Sequence, residues 1–343
     1  MSLVRRLGFG GGAMNVSAQR AGAPATTNNV PATGPLTISR PPLPRRGSDT
    51  VAFAASMMEL ASAAYLESDA AKKAIEKAGL RLVQAGSRKV AMSELGEKGD
   101  SLVERLVSRA VTVDAQYLVV DRGDALVVAF RGSKEGADYL LDVVGSSVDA
   151  MDGRGAVHAG FRRQLDAVWP ELEATLRRES KRSDPAKPIV FTGHSMGAAL
   201  AVLGASRWEE GTPAGKAVHS VYGFALPASG DAAFTADYGS RLGSRTFSFI
   251  NQGDLVPRLL QRLGYANPEV HVRSIARDGT LVRNPTQAQL DADLRSDLLP
   301  RKLKDLLPLC LEEHRPPYYL RRLQALAATT AAHPAGGGGW RPR

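Results

Sequence analysis

Apolar positions recur along this chain with two periods, and the alternation between them predicts its architecture. Val51, Phe53, Met57, Leu60, Ala64 and Tyr65 follow helical spacing, and a second helical run extends from Asp69 to Ala78. Residues 80–110 are mixed, with Leu102, Val103, Leu106 and Val107 again on one helical face. Two β-branched runs, Gln116 to Asp121 and Ala125 to Phe130, flank Arg122-Gly123-Asp124, which reads as a hairpin turn. A short amphipathic stretch, Glu135 to Val144, carries Tyr139, Leu140, Val143 and Val144 on one face. A longer helix is marked by Phe161, Leu165, Val168, Trp169, Leu172 and Leu176, with Pro170 expected to kink or restart it.

The same alternation continues downstream. Pro188 to Thr192 reads as a strand, Ala198 to Leu203 as a helix, Val218 to Leu226 as a strand, Asp231 to Tyr238 as a short helix and Thr246 to Asn251 as a strand. Strand, helix, strand, helix indicates an α/β fold whose central sheet is mostly parallel and flanked by helices. Residues 275–320 are polar and helical in patches. Residues 1–48, rich in Gly, Ala, Pro and Thr, are expected to form a disordered leader; 49–326 form the α/β domain, and 327–343, which include Gly336 to Gly339, a flexible tail.

Composition adds limits. With 43% hydrophobic residues over 343 positions, the chain can bury a full core. A single cysteine, Cys310, excludes an internal disulfide. No stretch approaches the roughly 18 apolar residues of a membrane span. The net charge of +9 is concentrated at the ends, since residues 1–50 carry six arginines against Asp49, and residues 301–343 carry eight basic and three acidic residues. Residues 51–300 are close to neutral, so a nucleic-acid reader is not expected; basic ends suit an anionic membrane surface, a targeting leader or simple solubility. The leader is Arg-rich but lacks the apolar core of a Sec-type signal peptide. A soluble or peripheral protein is therefore expected, with non-classical export or organelle targeting as the routes a leader of this composition allows.

The chemistry centres on Gly193-His194-Ser195-Met196-Gly197, set between an apolar strand and a helix-forming run. A serine at the apex of such a turn stands off the sheet, and a Cβ at either glycine would strike its neighbours. The helix that follows directs unpaired N–H groups and a partial positive charge toward what the serine attacks. A serine hydroxyl needs a base and a group to orient the base. Asp254 follows the Thr246 to Asn251 strand at its carboxyl end, where functional groups collect in open α/β sheets. Among the histidines, His194 should point into the body, His219 begins a strand on the wrong side and His333 lies in the tail. His158, His271 and His314 remain open as the base.

These residues together resemble the class 3 lipases, the fungal-lipase-like branch of the α/β-hydrolases. The resemblance covers about Ala61 to Leu320. It is carried by Val127 to Ser133 with Asp138 and Asp142 beyond, Val157 to Phe161, Gly193 to Leu200, Tyr222 to Pro227 with Gly230, Asp231 and Phe234, Asn251 to Pro257, and Glu313-His314 with Tyr318-Tyr319. It implies Ser195 as nucleophile, Asp254 as orienting acid and His314 as base, with an oxyanion hole formed by Ser133 and the backbone of Met196. His158 would be structural and Glu135 to Val144 would correspond to a lid. The chain departs from the family's pattern at Met196 and Ala198, where Leu and Gly are usual, and at Ala225, where a second glycine is common.

The expected function is that of a serine lipase or phospholipase acting on acyl esters of glycerolipids, through an acyl-enzyme and without metal or cofactor. Its partner is a lipid or membrane-surface substrate. The short, weakly apolar lid segment and basic ends favour phospholipid or another polar glycerolipid over triglyceride. A catalytically silent lipid-binding protein on the same fold and an esterase for soluble substrates are the competing expectations.

Overall fold

Strand β3, Leu126–Phe130, shows how the core is divided. All five residues are buried, with Leu126, Val128 and Phe130 facing one hydrophobic cluster and Val127 and Ala129 facing another. A strand covered on both faces needs this continuous apolar run rather than alternation with polar residues. The computed structural model describes residues 35–91, 112–133, 148–150, 154–182, 185–212, 218–259, 261, 264–290 and 312–332. The Glu135 to Val144 stretch, Leu102 to Val107, Cys310 and residues 333–343 lie outside them.

Eight strands form the central sheet: β1 (Arg81–Ala91), β2 (Thr112–Asp121), β3, β6 (Ile189–His194), β7 (Val218–Phe224), β8 (Thr246–Asn251), β9 (His271–Ile275) and β10 (Leu281–Arg283), in that spatial order. The five strands from β3 to β9 run parallel, and β1, β2 and β10 add antiparallel pairs at the edges. β4 (Val148–Ala150) and β5 (Ala156–His158) make a separate two-stranded ribbon. The β2–β3 hairpin turns where expected, with Gly123 at φ +88° and its N–H donating to Asp121 Oδ1 at 2.8 Å.

One face of the sheet packs against α3 (Ala159–Ser180) and α4 (Met196–Glu210). The other packs against α1 (Val51–Ala63), which also contacts the carboxyl-terminal helix α7 (Pro316–Ala332). Helix α1 is buried nearly all round, and Thr50 caps it by accepting from the Phe53 N–H at 3.1 Å. Between them in sequence are α2 (Ser68–Lys77), α5 (Ala232–Leu242), capped by Asp231, and the single turn α6 (Val256–Leu259).

Four expectations need correction. β1, β9 and β10 went unforeseen; β1 and β10 are edge strands, and β1 carries polar side chains at Gln84, Ser87, Arg88 and Lys89 that mask its periodicity. Helix α3 runs through Pro170 without interruption. Order begins before Asp49: Ile38 is buried, Ser39 donates from both N–H and Oγ to Glu59 Oε2, and the Arg122 guanidinium donates to the Pro41 carbonyl. At the other end, α7 continues to Ala332 rather than fraying from Ala327. No helix among the described residues is long and apolar enough to cross a membrane.

Candidate active site

The parallel strands end together at Phe130, His194, Phe224, Asn251 and Ile275, and the candidate residues lie just beyond those ends. Ser195 occupies the junction of β6 and α4 at φ +59° and ψ −129°, a backbone region costly for any residue with a Cβ. The strain is held in place from both sides. A Cβ on Gly193 would overlap the Gly197 carbonyl, and one on Gly197 would overlap the Phe130 carbonyl at the end of β3. Both glycines are therefore required by close backbone approach.

Three side chains from distant segments meet here. His314 Nε2 lies 2.9 Å from Ser195 Oγ, and its Nδ1 lies 3.0 Å from Asp254 Oδ2. Asp254 follows the turn at Gly253, φ +88°, and its two oxygens are further satisfied: Oδ1 accepts the Val256 N–H at 2.9 Å and Oδ2 accepts the Tyr319 O–H at 2.7 Å. Tyr319 in turn accepts the Asn251 N–H at 3.0 Å, and Asn251 Nδ2 donates to the Glu313 carbonyl at 3.1 Å. The end of β8 thus holds both the acid and the residue before the base. Ser195, Asp254 and His314 are all buried, where a low local dielectric strengthens each of these contacts. Burial pushes the Tyr319 phenol well above its ordinary value, reinforced by the Asp254 charge, so it remains a donor.

The expected oxyanion donors are neighbours. Ser133 Oγ lies 3.7 Å from Met196 Sδ, and Met196 opens α4, where the first N–H groups have no partner within the helix. The Ser195 N–H is not available for this, because it donates to the Phe224 carbonyl at 2.8 Å.

The remaining histidines sort by position. His158 caps α3 by accepting from the Phe161 N–H, as a structural residue would. His271 pairs in register with Phe247, at the opposite end of the sheet from Asp254, and stacks on that ring. His194 does point inward: Nε2 lies 2.7 Å from the His314 carbonyl and Nδ1 lies 3.0 Å from the Tyr65 hydroxyl. Tyr65 and the Asp254-to-Tyr319 bond were not foreseen from sequence; a tyrosine five residues after His314 was the only available signal for the second. Among the described residues, no group of three or more His, Cys, Asp or Glu is placed to hold a metal ion.

A hydrogen-bonded serine, imidazole and carboxylate at the first turn of a helix is an arrangement suited to acyl transfer. The similarities to known proteins agree with that class. Residues 127–263 match the family described as Lipase (class 3). The chain is 39% identical over 185 residues to a secreted mono- and diacylglycerol lipase of Malassezia restricta, covering 51% of this chain and 61% of the relative. A secreted mono- and diacylglycerol lipase of Penicillium cyclopium is 33% identical over 171 residues, covering 48% and 53%, and a phospholipase A1 of Oryza sativa is 28% identical over 208 residues, covering 51% and 50%. The chain thus spans about half to three-fifths of the length of these relatives.

Solved structures agree on the α/β-hydrolase fold. A mutant of a Penicillium cyclopium enzyme matches with a TM-score of 0.56 at 20% identity over 80% of this chain and 96% of that one. A triacylglycerol lipase described as having a serine protease triad matches at 0.52 and 17%, over 76% and 90%. The relatives' names also correct the expected location. The Malassezia and Penicillium relatives are called secreted, which points to extracellular export and overturns the expectation of a soluble or peripheral protein reaching its site without a secretory signal.

Proposed function

We propose that this protein is an extracellular serine hydrolase cleaving acyl esters of partial glycerides and phospholipids, with Ser195, His314 and Asp254 as its triad and Ser133 and Met196 as oxyanion donors. The observation that carries this is the continuous chain of hydrogen bonds from Ser195 Oγ through His314 to Asp254. In the reaction, His314 Nε2 takes the Ser195 proton as Oγ attacks the ester carbonyl. Asp254 holds the imidazole in the Nδ1–H tautomer and stabilises its charge. The tetrahedral oxygen is stabilised by N–H groups at Met196 and Ser133, each worth about 3 to 4 kcal/mol in comparable sites. His314 returns its proton to the departing alcohol; water then attacks the acyl-enzyme with His314 again as base, releasing the fatty acid.

Mono- and diacylglycerols, named in the relatives at 39% and 33% identity, are the first substrates under this reading. Phospholipid is the second, favoured by the basic chain ends and by the phospholipase A1 of Oryza sativa. The test is incubation of the protein and its Ser195→Ala form with mixed diacylglycerol, phospholipid and triglyceride, followed by identification of released acids and lyso-lipids. Acid release from diacylglycerol or phospholipid, lost by at least about a thousandfold in Ser195→Ala, is expected. Equal release by both forms would refute the mechanism, and release from triglyceride alone would refute the substrate class.

A further inference from the structure

His194 has no part in the proton transfers just described, yet it touches both sides of the site. Its Nε2 lies 2.7 Å from the backbone carbonyl of His314, and its Nδ1 lies 3.0 Å from the Tyr65 hydroxyl. A carbonyl can only accept, so Nε2 carries the hydrogen. In the neutral ring Nδ1 is then an acceptor, and the Tyr65 O–H donates to it. Both groups stay in these states. Burial, and next the adjacent His314, hold the His194 imidazole well below its usual range, and burial pushes the Tyr65 phenol far above its own.

The other side of the Tyr65 hydroxyl meets the loop that carries Ser133. A Cβ on Gly132 would overlap the Tyr65 hydroxyl and approach the His194 carbonyl and Ser195 Cβ, so this glycine is pressed into a wedge between α1's end and the nucleophile turn. The loop that carries Ser133 is thus in close contact with the Tyr65 hydroxyl at Gly132. The rings of His194 and His314 are 4.9 Å apart between centroids, and Tyr319, which binds Asp254, is 5.5 Å from His194.

We infer that Tyr65 and His194 form a positioning relay, in which Gly132, the Tyr65 hydroxyl, the His194 imidazole and the His314 carbonyl are linked so that the oxyanion loop and the base are held in register with Ser195. This rests on the triad reading above. Its hydrogen bonds join three segments that sequence separates widely, the turn after α1, the strand bearing the nucleophile and the turn bearing the base, and the contact at Gly132 adds the loop that carries Ser133. The relay ties the three segments through fixed donors and acceptors rather than apolar packing alone, which suits a site where displacement by about 1 Å costs about a hundredfold in rate.

The test compares wild type, Tyr65→Phe, His194→Gln, His194→Leu and Ser195→Ala on a soluble p-nitrophenyl ester, with active sites titrated by a fluorophosphonate so that kcat is expressed per reactive serine. Tyr65→Phe is expected to lower kcat about tenfold and His194→Leu about a hundredfold, with KM within about twofold. His194→Gln, whose amide retains one donor and one acceptor, should fall between wild type and His194→Leu. A merely structural role would reduce the titratable fraction and the melting temperature while leaving kcat per titrated site unchanged, and that result would overturn the relay. Should His194→Leu fail to fold, Tyr65→Phe alone decides the matter, since it removes one hydroxyl. Nitrogen NMR of the imidazole gives an independent reading: Nε2–H with unprotonated Nδ1 supports the relay, and the Nδ1–H tautomer contradicts it. Absence of fluorophosphonate labelling in the wild-type protein, or labelling kept in Ser195→Ala, would instead overturn the triad reading and the relay with it.

Discussion

Ser195 is the one candidate residue whose own neighbours in sequence specify its conformation. Gly193 and Gly197 admit a turn that a Cβ at either position would block, so the nucleophile could be read from five consecutive letters. Asp254 was legible from its place after a strand end. His314 was not: spacing left it level with His158 and His271, and only the resemblance favoured it, because the turn that carries it reaches the site through the packing of α7 against α1. His194 and Tyr65 were less legible still, as their pairing spans 129 positions.

His194 also gives the molecule a pH dependence. Its folded pKa lies below the unfolded value near 6.5, so below that pH the unfolded chain binds a proton that the folded protein refuses. Its contribution to stability is therefore complete above about pH 6.5 and declines as the pH falls toward the folded pKa, by at most about 1.4 kcal/mol per pH unit. His219, held low by burial and by the Arg46 charge, acts in the same direction. Urea unfolding at pH 7.5 and 5.5 should show a smaller loss for His194→Gln than for wild type, with His219 common to both. Equal losses would contradict this.

At the scale of elements, the interior was more legible than the margins. β3 and the first three residues of β6 are continuous apolar runs because these strands are buried on both faces, whereas β1 and β10 at the edges need not be. Ala225, which stands where a second glycine is common, sits at φ +53°, so the departure noted in the sequence corresponds to a backbone conformation that glycine adopts without strain. Helix α3 tolerates Pro170 in its interior at the cost of one backbone hydrogen bond. Pro170 is exposed, and Pro170→Ala should restore that bond and raise stability by about 1 to 3 kcal/mol. Denaturant melts showing no gain would mean that the surrounding packing has absorbed the cost.

Across the whole molecule, the segment from Leu36 to Asp49 is part of the folded unit rather than a leader to it. Ile38 enters the core, Glu59 accepts from Ser39 on one oxygen and from Gln324 of α7 on the other, and Asp49 is paired with Arg273 and Arg283. Too little apolar content made this segment look unable to order, but Ser39 and the Pro41 carbonyl are hydrogen-bonded by the body it crosses. Truncation before Ser48 should therefore destabilise by about 3 to 5 kcal/mol relative to truncation before Pro35, counting one buried isoleucine and the lost hydrogen bonds. Matching urea midpoints for the two truncated chains would show that the segment contributes nothing. Its contact with α7 through Glu59 also links it to the helix that carries Tyr319.

The central claim is that Ser195 is an activated nucleophile, and covalent labelling tests it most directly. Reaction of the folded protein with a fluorophosphonate, followed by peptide mass spectrometry, should place one adduct per chain on Ser195, with none in Ser195→Ala. A folded wild-type protein that takes no label, or takes it at another residue, would contradict the account.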